Sequence, residues 1–279
     1  MARQDPHATS SAQSKTSALE VHAVDLALAA AALQNVRVQG PRVHCITNSV
    51  VQNFTANALL AVGAIPSMTI NPDEIADFVA GADALLVNLG TVDRDRSAAI
   101  PLAFDAADAG GRPVVLDPVF IDRSPGRAAF ARKLMKRNPA IVRANRPEWE
   151  ILAGVADADP THVWPRLSGQ SVAVVTGPED RLVATGRSVT LIGGHPFMAR
   201  VTGVGCAQAA IMAALAACAE TPFHGALAGL ILFDRCGERA AGWANGPGTF
   251  EAALLDALYQ AEPEMIAEQA VASRSGEDR

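Results

Sequence analysis

The sequence predicts an α/β fold: a single domain whose mostly parallel central sheet carries helices on both faces. Three observations predict it. Stretches such as Ala84-Leu85-Leu86-Val87-Asn88 and Val172-Ala173-Val174-Val175-Thr176 are apolar at almost every position, as strands buried on both faces must be. They alternate with helical stretches, the order of a parallel sheet with crossover helices. No repeat and no linker divides the 279 residues, a length sufficient for one large core.

Residues 1–17 are rich in Ser, Gln and Thr and are expected to be disordered, as is a flexible tail over 266–279, leaving a domain at 18–265. A helix near 18–36 leads to a β-branched run at 42–47, a helix at 51–62, a short strand around 65–69 and a helix near 73–80. The strand 84–88 is followed by a helix at 95–109 and the strand Pro113-Val114-Val115-Leu116-Asp117. Next come a helix at 126–137, a strand at 140–143 and a helix at 147–153. The strand 172–176 precedes two short strands, near 181–185 and 188–192, with the spacing of a hairpin. Residues 203–262 read as three helices.

Composition narrows the chemistry. A net charge of −6 argues against a nucleic-acid surface, and no membrane span or apolar leader is visible, so a cytoplasmic protein is expected. Only three lysines occur, at 15, 133 and 136, and none follows a glycine-rich loop. The lysine-containing phosphate loop is therefore absent, and a nucleotide would have to be held by backbone amides, arginine and metal.

Thr202-Gly203-Val204-Gly205-Cys206 runs directly into an alanine-rich helix. Two glycines ahead of a helix can aim several N–H groups and the positive dipole end at one anion. They can equally make a tight turn and nothing more. Cys206 stands at the helix N-terminus, where the dipole favours a thiolate. The other cysteines, 45, 218 and 236, form no C-x-x-C pair and read as buried thiols, and His44 and His195 read as structural.

Ligands of parallel sheets bind beyond the carboxyl ends of the strands. Asn48, Asn88, Asp117, Arg143 and Thr176 fall at such ends, although Asn and Asp also favour strand exits as turn formers. Asn145-Arg146-Pro147-Glu148 has two readings. It is a capping box with proline in the first turn, and it also brings Glu148 near Asp117 if adjacent strands carry them. Two carboxylates beside a phosphate loop suggest Mg²⁺, a hard cation that prefers oxygen ligands.

Val43-His44-Cys45-Ile46-Thr47-Asn48 and Asn53-Phe54-Thr55-Ala56-Asn57-Ala58 resemble the opening of the hydroxyethylthiazole kinase family, thiamin-salvage enzymes of the ribokinase-like superfamily. Val87-Asn88-Leu89-Gly90-Thr91, Val115-Leu116-Asp117-Pro118-Val119, Val175-Thr176-Gly177, Gly194-His195-Pro196, Val201 to Cys206 and Gly246-Pro247-Gly248-Thr249-Phe250 continue the resemblance in order over about residues 40–260. It implies a ribokinase-like domain and ATP-dependent, Mg²⁺-requiring phosphorylation of the hydroxyl of 4-methyl-5-(2-hydroxyethyl)thiazole. It places Met68, Gly203 and Asn48 at the thiazole, Arg143 and Thr176 at ATP, and Asp117 and Glu148 on the metal side. Cys206 falls where larger superfamily members carry a catalytic aspartate, and would accept the alcohol proton. A homotrimer with active sites near subunit interfaces is implied as well.

The chain departs from the family at two places. The usual Arg-Gly-Asn is Arg143-Ala144-Asn145, and a glycine-rich stretch is replaced by Phe120-Ile121-Asp122-Arg123-Ser124-Pro125-Gly126-Arg127. The second change bears on substrate identity. Hydroxymethylpyrimidine or pyridoxal-type alcohols, and an ATP- or ADP-dependent dehydratase acting on hydrated nicotinamide nucleotides, are the alternatives on the same fold.

Overall fold

The computed structural model describes residues 22–156, 160 and 171–268. Its strands are β1 (Arg42–Ile46), β2 (Ile65–Ser67), β3 (Ala84–Asn88), β4 (Val114–Asp117), β5 (Ile141–Asn145), β6 (Val172–Thr176), β7 (Asp180–Ala184) and β8 (Arg187–Leu191). They form one sheet in the order β2-β1-β3-β4-β5-β6-β7-β8. Pairing is parallel from β2 to β6 and antiparallel from β6 to β8, where β7 and β8 make the expected hairpin.

The helices are α1 (Ala23–Gln39), α2 (Gln52–Val62), α3 (Ile75–Ala80), α4 (Arg94–Ala109), α5 (Pro125–Met135), α6 (Arg146–Ala153), α7 (Val204–Cys218), α8 (Pro222–Trp243), α9 (Pro247–Tyr259) and the short α10 (Glu264–Ala267). They divide between two cores, one on each face of the sheet. Ala84 and Leu86 of β3 pack into the first core with α1, α2 and α7 to α9. Leu85 and Val87 pack into the second with α3 to α6. The strand period of two thus feeds both layers, which is why the strand sequences look continuously apolar. Helix α7 is buried on nearly every side and packs against β1, β3 and β4. Its alanine-rich sequence lets it lie close to the sheet.

Several boundaries differ from the sequence reading for physical reasons. β5 continues to Asn145 because its ladder with β6 runs from Ile141–Val172 to Asn145–Thr176, past the apolar stretch. The hairpin strands begin one residue earlier than expected. A 3₁₀ turn at Pro196–Arg200 is too short for periodicity to reveal. Ile266, expected in the C-terminal tail, is fully buried in α10. The expected tails at 1–17 and 269–279, and the expected start of α1 at 18–21, lie outside the described residues. Among those described, no helix is long and apolar enough to cross a membrane.

Candidate active site

Alternation and register bring three polar residues into one row. Val115 and Ile141 face the α7 layer, so Asp117 and Arg143, two residues further along, face it as well. Asn88 follows Leu86 to the same side. Asn88 is the register partner of Asp117, and one step beyond the Leu116–Val142 pair sets Asp117 opposite Arg143. Asn88 Nδ2 donates to Asp117 Oδ2 at 2.6 Å, and Arg143 Nη1 lies 3.7 Å from Asp117 Oδ1. Arg143 is therefore not the strand exit that the sequence suggested. It sits two residues inside β5, which points its guanidinium at α7 rather than out of the sheet.

The N-terminus of α7 closes over this row. Gly203 is its N-cap, with φ +94°, a conformation that a side chain disfavours. A Cβ there would also lie 2.8 Å from Cγ1 of Val51, in the turn that follows Asn48. The first amides of a helix have no intrahelical acceptor, so those of residues 204–206 are available at this end. Cys206 Sγ accepts from Asn88 Nδ2 at 3.2 Å and from Asn48 Nδ2 at 3.5 Å. Asn48 Nδ2 also reaches Asn88 Oδ1 at 3.2 Å. Arg96 fixes the exit of β1 by donating from Nε to the Thr47 carbonyl at 2.9 Å.

The electrostatics of the cluster follow from burial. Asp117 is fully buried, and Oδ1 has no hydrogen-bond donor. Burial, reinforced by the negative Glu148 and opposed by Arg143 and Asn88, pushes its carboxyl up to about 7. Cys206 corrects an expectation. Its thiol is pushed up to about 12 by burial and by Asp117, with Arg143, Asn88 and Asn48 opposing. The helix N-terminus favours a thiolate, but in this environment a neutral thiol prevails at neutral pH.

Glu148 does serve the capping box: Asn145 Oδ1 accepts from its N–H at 2.9 Å, and its Oε2 accepts from Asn145 N–H at 3.0 Å. Its other oxygen, Oε1, accepts from Phe120 N–H at 2.9 Å. Phe120 has φ +60°, and this bond ties its turn, part of the stretch that departs from the family pattern, to the site. Among the described residues no group of three or more acidic, histidine or cysteine side chains is arranged to hold a metal. Asp117 and Glu148 stand as a pair.

Arg143 and Thr176 open together onto a cleft of about 540 Å³, bounded also by Gly205, Gln208, Asp180 and Asp234. Gln208 Oε1 accepts from Arg143 Nε at 3.1 Å and so orients the guanidinium. It lies one helical turn after Gly205, a spacing that could have identified it. Met68 is half-buried after β2 and packs against the core. No hydrogen bond joins it to the Asn48–Cys206 cluster among the described residues. His195 caps the 3₁₀ turn, with Nδ1 accepting from Phe197 N–H at 3.2 Å, and His44 is buried between Ser67 and Thr69, so both have structural partners. Cys45, Cys218 and Cys236 are buried free thiols, as read from their spacing. Asp180 and Asp234 gave no local motif; only the folded cleft brings them together.

Comparison with known proteins gives the family and the fold. The model of the hydroxyethylthiazole kinase family matches residues 33–160 and 166–264. A protein of Agrobacterium fabrum named as a probable hydroxyethylthiazole kinase is 44% identical over 240 residues, covering 86% of this chain and 92% of that protein. The structure of a hydroxyethylthiazole kinase protein from Pyrococcus horikoshii superposes with a TM-score of 0.79 at 32% identity, covering 86% of this chain and 96% of the other. A ribokinase-like superfamily protein from Enterococcus faecalis shares the fold, with a TM-score of 0.63 at 15% identity over 81% of this chain and 89% of that one.

Proposed function

The chain belongs to the hydroxyethylthiazole kinase family, and we propose that it transfers the γ-phosphoryl group of ATP to the primary hydroxyl of 4-methyl-5-(2-hydroxyethyl)thiazole, in thiamin biosynthesis or salvage. The observation that carries this reading is the meeting of the α7 N-terminus with Arg143, Asp117 and Asn88 at the carboxyl edge of the sheet. Phosphoryl transfer needs alignment and charge neutralisation more than covalent help. In the proposal Arg143 and Thr176 hold the nucleotide, and the amides of residues 204–206 face the transferring group. Asn48, Gly203 and Met68 line the thiazole end.

Asp117 and Glu148 fit Mg²⁺. Asp117 Oδ1 is buried without a donor, and each Glu148 oxygen is committed to one amide, which leaves lone pairs for a hard cation that keeps several waters. Bound there, the ion would neutralise phosphate charge. Cys206 takes the role of a contact for the attacking hydroxyl. A loose transition state asks for the alcohol proton late, so a neutral thiol that aligns the oxygen is consistent with turnover. A homotrimer acting in the cytoplasm completes the proposal. The outer strand β2, with Ile65 53% exposed and Phe78 42% exposed beside it, offers an apolar edge for subunit contact, which sedimentation can measure.

The test is ADP formation with a panel of alcohols, followed by identification of the phosphorylated product. The thiazole alcohol should have the highest kcat/KM, and Mg²⁺ should be required. A higher value for hydroxymethylpyrimidine or pyridoxal would reassign the substrate. Dehydration of a hydrated nicotinamide nucleotide, with no alcohol phosphorylated, would end the kinase reading.

A further inference from the structure

The end of the cleft away from the α7 N-terminus carries a buried acid with no assigned task. Asp234, on α8, is 8% exposed and lines the cleft, and no hydrogen bond reaches its carboxyl group among the described residues. Gly193 and Gly194 pass directly over it. A Cβ on Gly193 would lie 2.9 Å from Asp234 Oδ2, and one on Gly194 would lie 3.3 Å from Oδ1. Pro178, Pro196, Met198 and Ala199 supply apolar lining to the same cleft, and Met198 lies against Gly194. Asp180, between the two ends, feels Arg143, whereas Asp234 feels Asp180, Glu238 and Arg235. The cleft therefore runs from a cationic, amide-lined end to an end where apolar side chains and His195 accompany an acid that accepts no hydrogen bond among the described residues, with Glu238 Oε1 beside it taken up by Gly194 N–H at 3.2 Å, the polarity of a nucleotide from phosphate to base.

We propose that Asp234 reads the base: its carboxyl group accepts from the exocyclic amino group of a 6-aminopurine and donates to the adjacent ring nitrogen. This rests on the reading of the Arg143–Thr176 cleft as the nucleotide site. Burial, with Asp180 and Glu238 adding negative charge and Arg235 opposing, pushes the carboxyl up to about 8. At neutral pH the group is thus an acid with one O–H donor and one carbonyl acceptor, the complement of that purine edge.

The experiment compares binding of ATP and of purine riboside 5′-triphosphate, which lacks the 6-amino group, to the full chain and to Asp234→Asn, Asp234→Ala and Arg143→Ala, each checked for folding by its melting curve. The parent should favour ATP about tenfold, the worth of one neutral hydrogen bond. Asp234→Ala should erase that preference. Asp234→Asn should keep it, because an amide offers the same acceptor and donor without charge. A parent with no preference, an Ala variant that keeps it, or an Asn variant that behaves like Ala overturns the assignment. Arg143→Ala should weaken both triphosphates equally. If it weakens neither, the nucleotide reading of the cleft fails and this inference with it; if it weakens both while Asp234→Ala keeps the preference, only the base reading fails.

Discussion

Replacing Glu148 by Gln separates its two oxygens. From sequence alone the change looks benign, since glutamine also completes a capping box. In the structure both oxygens accept backbone N–H groups, Oε2 from Asn145 at 3.0 Å and Oε1 from Phe120 at 2.9 Å, and the side chain is buried. A glutamine has one acceptor oxygen, so its NH₂ must face one of these amides. The variant loses one hydrogen bond to a charged group and leaves a buried donor unpaired, a cost of about 1.5–3 kcal/mol. Phe120 is the amide expected to be released, because its φ of +60° costs ~1–2 kcal/mol for a residue with a Cβ. For a domain of this size each kcal/mol moves Tm by roughly 2–4 °C, so Glu148→Gln should melt about 3–12 °C below the parent. Calorimetry gives the shift, and Mg²⁺ titration of kcat on the same sample gives the metal dependence, expected to require more Mg²⁺. An unchanged Tm would refute the double-acceptor reasoning, and an unchanged Mg²⁺ requirement would reduce Glu148 to a structural residue.

Other expectations follow from the same site. Cys206→Ala should lower kcat by less than about tenfold, because burial and Asp117 hold the thiol neutral; a steady-state loss within the ~10²–10⁴ range of a general base would show thiolate chemistry instead. Gly205→Val would place a Cβ 2.7 Å from Arg143 Nη2, so the guanidinium must swing away; ATP affinity should fall more than about tenfold while Tm changes little, and unaltered affinity would dissociate Arg143 from the nucleotide. Asp234 ionises near 3.8 when unfolded and near 8 when folded, so its contribution to stability falls as pH rises across that interval. Asp234→Asn should therefore melt with the parent near pH 4 and progressively above it up to about pH 8; a constant difference would show that Asp234 is not held protonated.

The layer order, the crossovers and the polar carboxyl edge were legible in the amino-acid sequence because they rest on local periodicity: apolar runs at β3 and β6, the box at Asn145–Glu148, and the glycines at the start of α7, of which Gly203 caps the helix and Gly205 falls in its first turn rather than ahead of it. The motifs likewise identified Asp117 and Arg143, but their relation is a matter of register. Only pairing of β3, β4 and β5 sets Asn88, Asp117 and Arg143 in one row, and only alternation turns them toward α7. The state of Cys206 is not legible in sequence: the helix N-terminus is visible there, while the desolvation and the neighbouring carboxylate that outweigh it are not. Phe120 became a partner of Glu148, and Asp180 met Asp234, across separations that no local pattern encodes. The sequence by itself determined which groups the strands and helices carry, because hydrogen bonding and burial along each element are local. The tertiary structure decided which of them share a cavity and in which protonation state, because both depend on the distance and desolvation that packing imposes.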